Sequence, residues 1–272
     1  MRTKLLISVL SLMFLSGKIL AGFEINTTLM HYTYLIVGPA GEPNQVKCGT
    51  VFVMGIPDAN RPGKSQPVMV TAAHVLEGIS GETAIIHLRE KTTERKFESR
   101  AHVLQIRKGE EPLWVRHPNA DVAVMKITLP DYVFIQAKKI PGLSTNLLAD
   151  DETIEKYEIH PGDELQCLGY PLGKGANVSG FAILRSGKVA SYPLTPAKET
   201  KSFLFDFEVF RGNSGGPVYF VDEGRTYGGI THAGETIQFV VGLVSQQHEE
   251  LRLAVVVPAH FIKETLELLD KK

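Results

Sequence analysis

The feature that most constrains this chain is a long succession of short β-rich runs, divided at short intervals by Gly, Pro, Asn and Asp. Residues 34–37, 49–54, 68–71, 84–88, 97–105 and 122–127 make a first set. Residues 164–168, 180–191, 203–209, 217–220, 238–245 and 253–257 make a second. β-branched and aromatic side chains fill these runs and suit a pleated, half-buried surface. Runs at this spacing predict an all-β sandwich or barrel rather than a βαβ fold. Residues 129–158 show no clean alternation and are broken by Pro130, Pro141 and Gly142, so they read as a linker between two six-strand halves. The period changes at the end of the chain. Phe261, Ile262, Leu266, Leu268 and Leu269 fall on one face of a short helix within 259–270.

Composition sets the outer limits. With 272 residues and 43% hydrophobic side chains, the chain can bury a core as one large all-β domain or two small ones. A formal net charge of -1 argues against nucleic acid or an anionic membrane as the main partner. The first residues read as an export signal. Arg2 and Lys4 precede the apolar run 5–15, which is too short to span a bilayer, and small residues lead to Ala21. The expectation is a signal peptide over 1–21, removed on export. The competing reading is an N-terminal anchor. After removal the protein has no expected membrane partner and is secreted or periplasmic. Cys48 and Cys167 are the two cysteines, free to pair in an oxidising compartment or to remain thiols.

Three segments carry chemistry. In Arg211-Gly212-Asn213-Ser214-Gly215-Gly216-Pro217, glycines flank a serine. A serine hydroxyl is a weak nucleophile, so it must be exposed, held still and given a base. The glycines permit a tight turn and let successive N–H groups of Gly212, Asn213 and Ser214 converge on an oxyanion. By itself the run also suits a Gly-rich hairpin turn. In Val70-Thr71-Ala72-Ala73-His74-Val75, an apolar strand runs through small residues into a histidine, which alone also suits a buried core imidazole. In Asp121-Val122-Ala123-Val124, an aspartate opens an apolar strand. It is either a turn residue or a carboxylate that accepts from an imidazole and fixes its tautomer. The order His74, Asp121, Ser214 joins them, because it is the order of the triad in two-barrel proteases.

On these residues the chain resembles the trypsin-like (chymotrypsin-fold) serine proteases, and among them the bacterial HtrA-type and related single-domain peptidases. Thr71-Ala72-Ala73-His74, Asp121-Val122-Ala123-Val124 and Gly212-Asn213-Ser214-Gly215-Gly216-Pro217 carry the match. Leu168-Gly169-Tyr170-Pro171-Leu172-Gly173, Asp206 and Arg211 are similar to the HtrA-type second half. The resemblance implies two six-stranded antiparallel β-barrels packed face to face, with the active site in the cleft. It places the first barrel at about 32–128, the linker at about 129–158 and the second barrel at about 159–258, all within a protease domain 22–272. It implies a serine endopeptidase with protein or peptide substrates and no cofactor or metal. The chain stops at Lys272, soon after the last helix, so the resemblance is to a form without a PDZ domain.

The resemblance also locates a specificity pocket, in Glu208–Phe210 and Val244–Gln246, with Glu208, Val209, Val244 and Ser245 as its residues. Val209 and Val244 favour a small apolar side chain. Glu208, at the pocket-floor position, favours Lys or Arg instead, although alternation puts Phe205, Phe207 and Val209 on one face and Glu208 on the other. A different class of function is a catalytically silent homologue that binds peptides on the same scaffold. The intact serine and histidine argue against it. The nine histidines show no metalloprotease spacing. The sequons at Asn26 and Asn177 fit a glycosylated protein, a reading that the shortage of cysteines disfavours.

Overall fold

A computed structural model of the chain describes residues 24–58, 65–135, 143–248 and 250–271. The expected signal at 1–21 lies outside the described residues. Among those residues, no helix is long and apolar enough to cross a membrane.

Helix α1 (Ile25–Tyr32) leads into the first half, and the Glu24 carboxylate caps it by accepting from the N–H groups of Asn26 and Thr27. The strands that follow are β1 (Thr33–Pro39), β2 (Val46–Pro57) and β3 (Ser65–Thr71). After the short helix α2 (Ala73–Glu77) come β4 (Thr83–Thr93), β5 (Lys96–Gln105), β6 (Val115–Arg116) and β7 (Ala123–Lys126). They order as β5-β4-β1-β2-β3-β7-β6. The long strands match the six predicted runs. The segment read as a linker is bound to both halves. Its strand β8 (Leu143–Ser144) pairs in parallel with Met54 and Gly55 of β2, and the Ala149 N–H donates to Val240. Asp150 caps helix α3 (Asp151–Lys156) by accepting from the Thr153 N–H.

The second half comprises β9 (Glu164–Gly169), β10 (Ile183–Val189), β11 (Phe203–Asp206), β12 (Pro217–Glu223), β13 (Thr236–His248) and β14 (Leu253–Pro258). It closes into a six-stranded barrel in the order β9-β10-β11-β14-β13-β12. Closure leaves no ladder edge unpaired, which removes the usual liability of a β-sheet. Leu165, Phe205, Val218, Val244 and Val256 fill its interior. Helix α4 (Ala259–Leu269) then packs Phe261, Ile262, Leu266 and Leu269 inward, as the sequence period predicted, while Leu268 is only half-buried. It lies against β6, β7 and β13, so the end of the chain touches both halves.

Candidate active site

Strands β3 and β7 pair antiparallel with Thr71 opposite Ala123. The chain leaving β3 and the chain entering β7 therefore run side by side. That register brings His74 against Asp121, although they are 47 residues apart. Asp121 Oδ1 accepts from the His74 backbone N–H at 3.0 Å, and Oδ2 meets His74 Nδ1 at 2.7 Å. Burial pushes the Asp121 carboxyl up, but the hydrogen bonds from His74 and from the Ser245 hydroxyl outweigh it and hold the group at about 2. An ionised carboxylate only accepts, so Nδ1 carries the proton and Nε2 is left with its lone pair.

Ser214 sits in the loop before β12, and the loop is fastened to the neighbouring strand. The Gly215 N–H donates to Val244, and the Val244 N–H donates to Gly216. Phe210–Asn213 is a turn closed by the Asn213 N–H on the Phe210 carbonyl at 3.0 Å, with φ of 98° at Gly212. A left-handed third residue is the mark of a type II turn and favours glycine there. A Cβ on Gly212 would also collide with the Tyr170 carbonyl oxygen.

The backbone groups of this loop can be accounted for one by one. The carbonyls of Arg211, Gly212, Asn213 and Ser214 accept from Leu172 N–H, the Thr50 hydroxyl, Gly216 N–H and Thr50 N–H respectively. The N–H groups of Asn213 and Gly215 are donated to Phe210 and Val244. The N–H groups of Gly212 and Ser214 have no backbone acceptor among the described residues. Of the three donors expected from the sequence, two are thus left available, and the Asn213 N–H closes the turn instead.

His74 and Ser214 line one cleft of about 500 Å³. Its walls come from Lys47 and Cys48 on β2, Val209–Gly212 before the serine, and Ser245–Gln247 on β13. Val209 and Ser245 are among the lining residues. Glu208 and Val244 are not among the lining residues. Glu208 faces solvent with Arg252 at 3.9 Å, because alternation turns Phe207 and Val209 inward and leaves it outside. Val244 is fully buried in the second-barrel core. The β13–β14 ladder shifts register between Val244 and Gln246, so Ser245 is the extra residue of a β-bulge. Bulges re-aim side chains, and here the Ser245 hydroxyl turns onto Asp121 Oδ2.

Sequence reasoning missed that contact, and it missed Thr50. Cys48 and Cys167 are both free thiols, Cys48 half-buried at the cleft and Cys167 buried in the second barrel. The arrangement offers a base with a fixed tautomer, a hydroxyl in the same cleft and two unspent N–H donors. That set is what acyl transfer requires.

Residues 61–228 match the family model described as the trypsin-like peptidase domain. The structure is similar to that of a serine endoprotease from Yersinia pestis, at 15% identity and a TM-score of 0.50, over 92% of this chain and 68% of that one. It is also similar to the protease Anisep from Arthrobacter nicotinovorans, at 13% identity and a TM-score of 0.50, over 90% and 98% of the two chains. At such identities the likeness is one of fold. No curated protein matches the sequence.

Proposed function

We propose that this chain, which belongs to the trypsin-like peptidase family, is a secreted serine endopeptidase with Ser214 as nucleophile, His74 as base and Asp121 as the carboxylate that orients it. The observation that carries the reading is the 2.7 Å contact of His74 Nδ1 with Asp121 in the cleft that Ser214 lines. It leaves Nε2 free to take the Ser214 proton as Oγ attacks a peptide carbonyl. The N–H groups of Gly212 and Ser214 stabilise the oxyanion that forms, and stabilisation of this kind usually lowers the barrier more than any other single effect. His74 then protonates the leaving amine, and water hydrolyses the acyl-enzyme by the same path.

Val209, Phe210 and Leu172 give the cleft an apolar patch, while Lys47, Arg211, Gln246 and Gln247 make other parts of its wall polar. An apolar patch with cations and, among the described residues, no carboxylate beside it favours a small or medium apolar substrate side chain over Lys or Arg. The outward course of Glu208 removes the one carboxylate that supported basic specificity. Export rests on the signal-like residues 1–21.

The test is to incubate the exported protein with a serine-directed phosphonate and with a proteome-derived peptide library. The expected results are labelling of Ser214 and cleavage after small apolar residues. An intact library and an unlabelled serine would sink the proposal.

A further inference from the structure

We infer that Thr50 is a positioning residue for the oxyanion turn, set in the first half of the molecule and acting on a loop of the second; this rests on Ser214 being the nucleophile. Thr50 lies within β2 and is fully buried. Its hydroxyl donates to the Gly212 carbonyl at 2.6 Å and accepts from the Tyr170 N–H at 3.2 Å. Its N–H donates to the Ser214 carbonyl at 2.8 Å. Its own carbonyl accepts from the Thr71 hydroxyl at 2.7 Å, at the end of the strand that leads to His74. One residue thus joins the serine loop, the end of β9 and the strand before the histidine.

The geometry says what the hydroxyl controls. Peptides 212–213 and 214–215 are each held at both ends, with Thr50 on both carbonyls. The available N–H groups of Gly212 and Ser214 alternate with those held peptides. If the Gly212 carbonyl loses its donor, a buried acceptor is left unpaired, which is unfavourable. The carbonyl can then regain a partner by rotating its peptide. Gly212, at φ 98°, is the residue that turns most freely, because glycine takes either sign of φ. The rotation carries the Asn213 N–H of the same peptide off the Phe210 carbonyl, which opens the turn that fixes Gly212 and so misdirects the Gly212 N–H. The Thr50 backbone bond to Ser214 does not depend on the side chain, so the hydroxyl acts on Gly212 selectively.

The test compares Thr50→Val, Thr50→Ala and Thr50→Ser with wild type. The expected result is that kcat falls about 10- to 100-fold in the Val and Ala variants, with KM within about twofold, since a group acting on the oxyanion works in the transition state. Thr50→Ser, which keeps the hydroxyl, should restore kcat to within about threefold. A substrate-like boronate should lose affinity in step with kcat, whereas a product peptide should bind unchanged. Hydrogen exchange over residues 210–216 should quicken in the Val and Ala variants, a readout that needs no activity. It separates failure of this inference from failure of the nucleophile assignment, which the phosphonate reaction of the wild type decides. Values of kcat within twofold of wild type in both variants would overturn the inference. So would equal damage in Thr50→Ser, or loss of folding in both the Val and Ala variants, because either places Thr50 in general stability rather than in the turn.

Discussion

The Ser245 hydroxyl donates to Asp121 Oδ2 at 2.5 Å, across a sequence separation of 124 residues. The donor stands on a bulge of the closed barrel, and the acceptor belongs to the loop that precedes β7 of the other half. The carboxylate that faces His74 is therefore held from both halves of the molecule. The 117–121 loop has a further hold, since His117 Nε2 meets Glu264 Oε2 of α4 at 3.1 Å.

Replacing Asp121 by Asn should lower kcat by about four orders of magnitude, because an amide can present its N–H to the ring and select the wrong tautomer. Replacing Ser245 by Ala should cost less, about tenfold, since the two contacts to His74 persist. Steady-state kinetics on one peptide substrate measures both. Equal losses in the two variants would contradict the division of roles.

Asp121 also sets a pH window. Its folded carboxyl lies at about 2, below the ordinary 3.8. A depressed value adds stability that is fully present above the unfolded value and is lost as pH falls through the folded one. The gap in stability between wild type and Asp121→Asn should thus be constant above about pH 5 and shrink between about pH 4 and 2. Urea melts across that range test it, and a gap that widens in acid would refute it.

Ser214→Ala should reduce turnover by about four to six orders of magnitude and leave the melting temperature nearly unchanged, because only the nucleophile is removed. Unaltered cleavage of casein by this variant would move the chemistry elsewhere.

The two thiols should differ in reactivity. Burial pushes the Cys167 thiol up to about 12, and its side chain is 1% exposed. Cys48 lines the cleft, and its Sγ lies 3.3 Å from where a Cβ on Gly212 would be. Iodoacetamide on the folded protein should modify Cys48 alone, as read by peptide mass spectrometry, and should inhibit cleavage by crowding the oxyanion turn.

No activating cut near the first strand should be needed. The residue beside the nucleophile is Asn213, which is neutral and 2% exposed and so cannot pair with a buried N-terminal ammonium, and the turn before it is closed by the chain's own bond to Phe210. Residues 22–272 carrying an uncleaved N-terminal tag should cleave peptides as fast as the untagged form. Activity that arises only after trimming near β1 would overturn this.

The sequence by itself marked the long strands and the C-terminal helix, and it singled out His74, Asp121 and Ser214 as candidates, of which the fold sets His74 against Asp121 and in one cleft with Ser214. These marks rest on local chemistry. Alternation shows at neighbouring positions, and glycine suits a positive φ where a Cβ would also collide with backbone, as at Gly212 and Gly215. Alternation also placed Glu208 outside, against its nominal pocket position. Only the tertiary structure decided that Ser245 faces Asp121, that Thr50 holds the serine loop, and that the segment before α3 pairs with β2 rather than hanging between the halves. A bulge inserts one residue with no compositional mark, so its aim is invisible until both strands of the ladder are known. The contact between Thr50 and Gly212 joins positions 162 residues apart. Nothing local distinguishes a threonine that will meet a carbonyl across the interface from one that merely fits a β-strand, because its partner exists only once the two halves have packed.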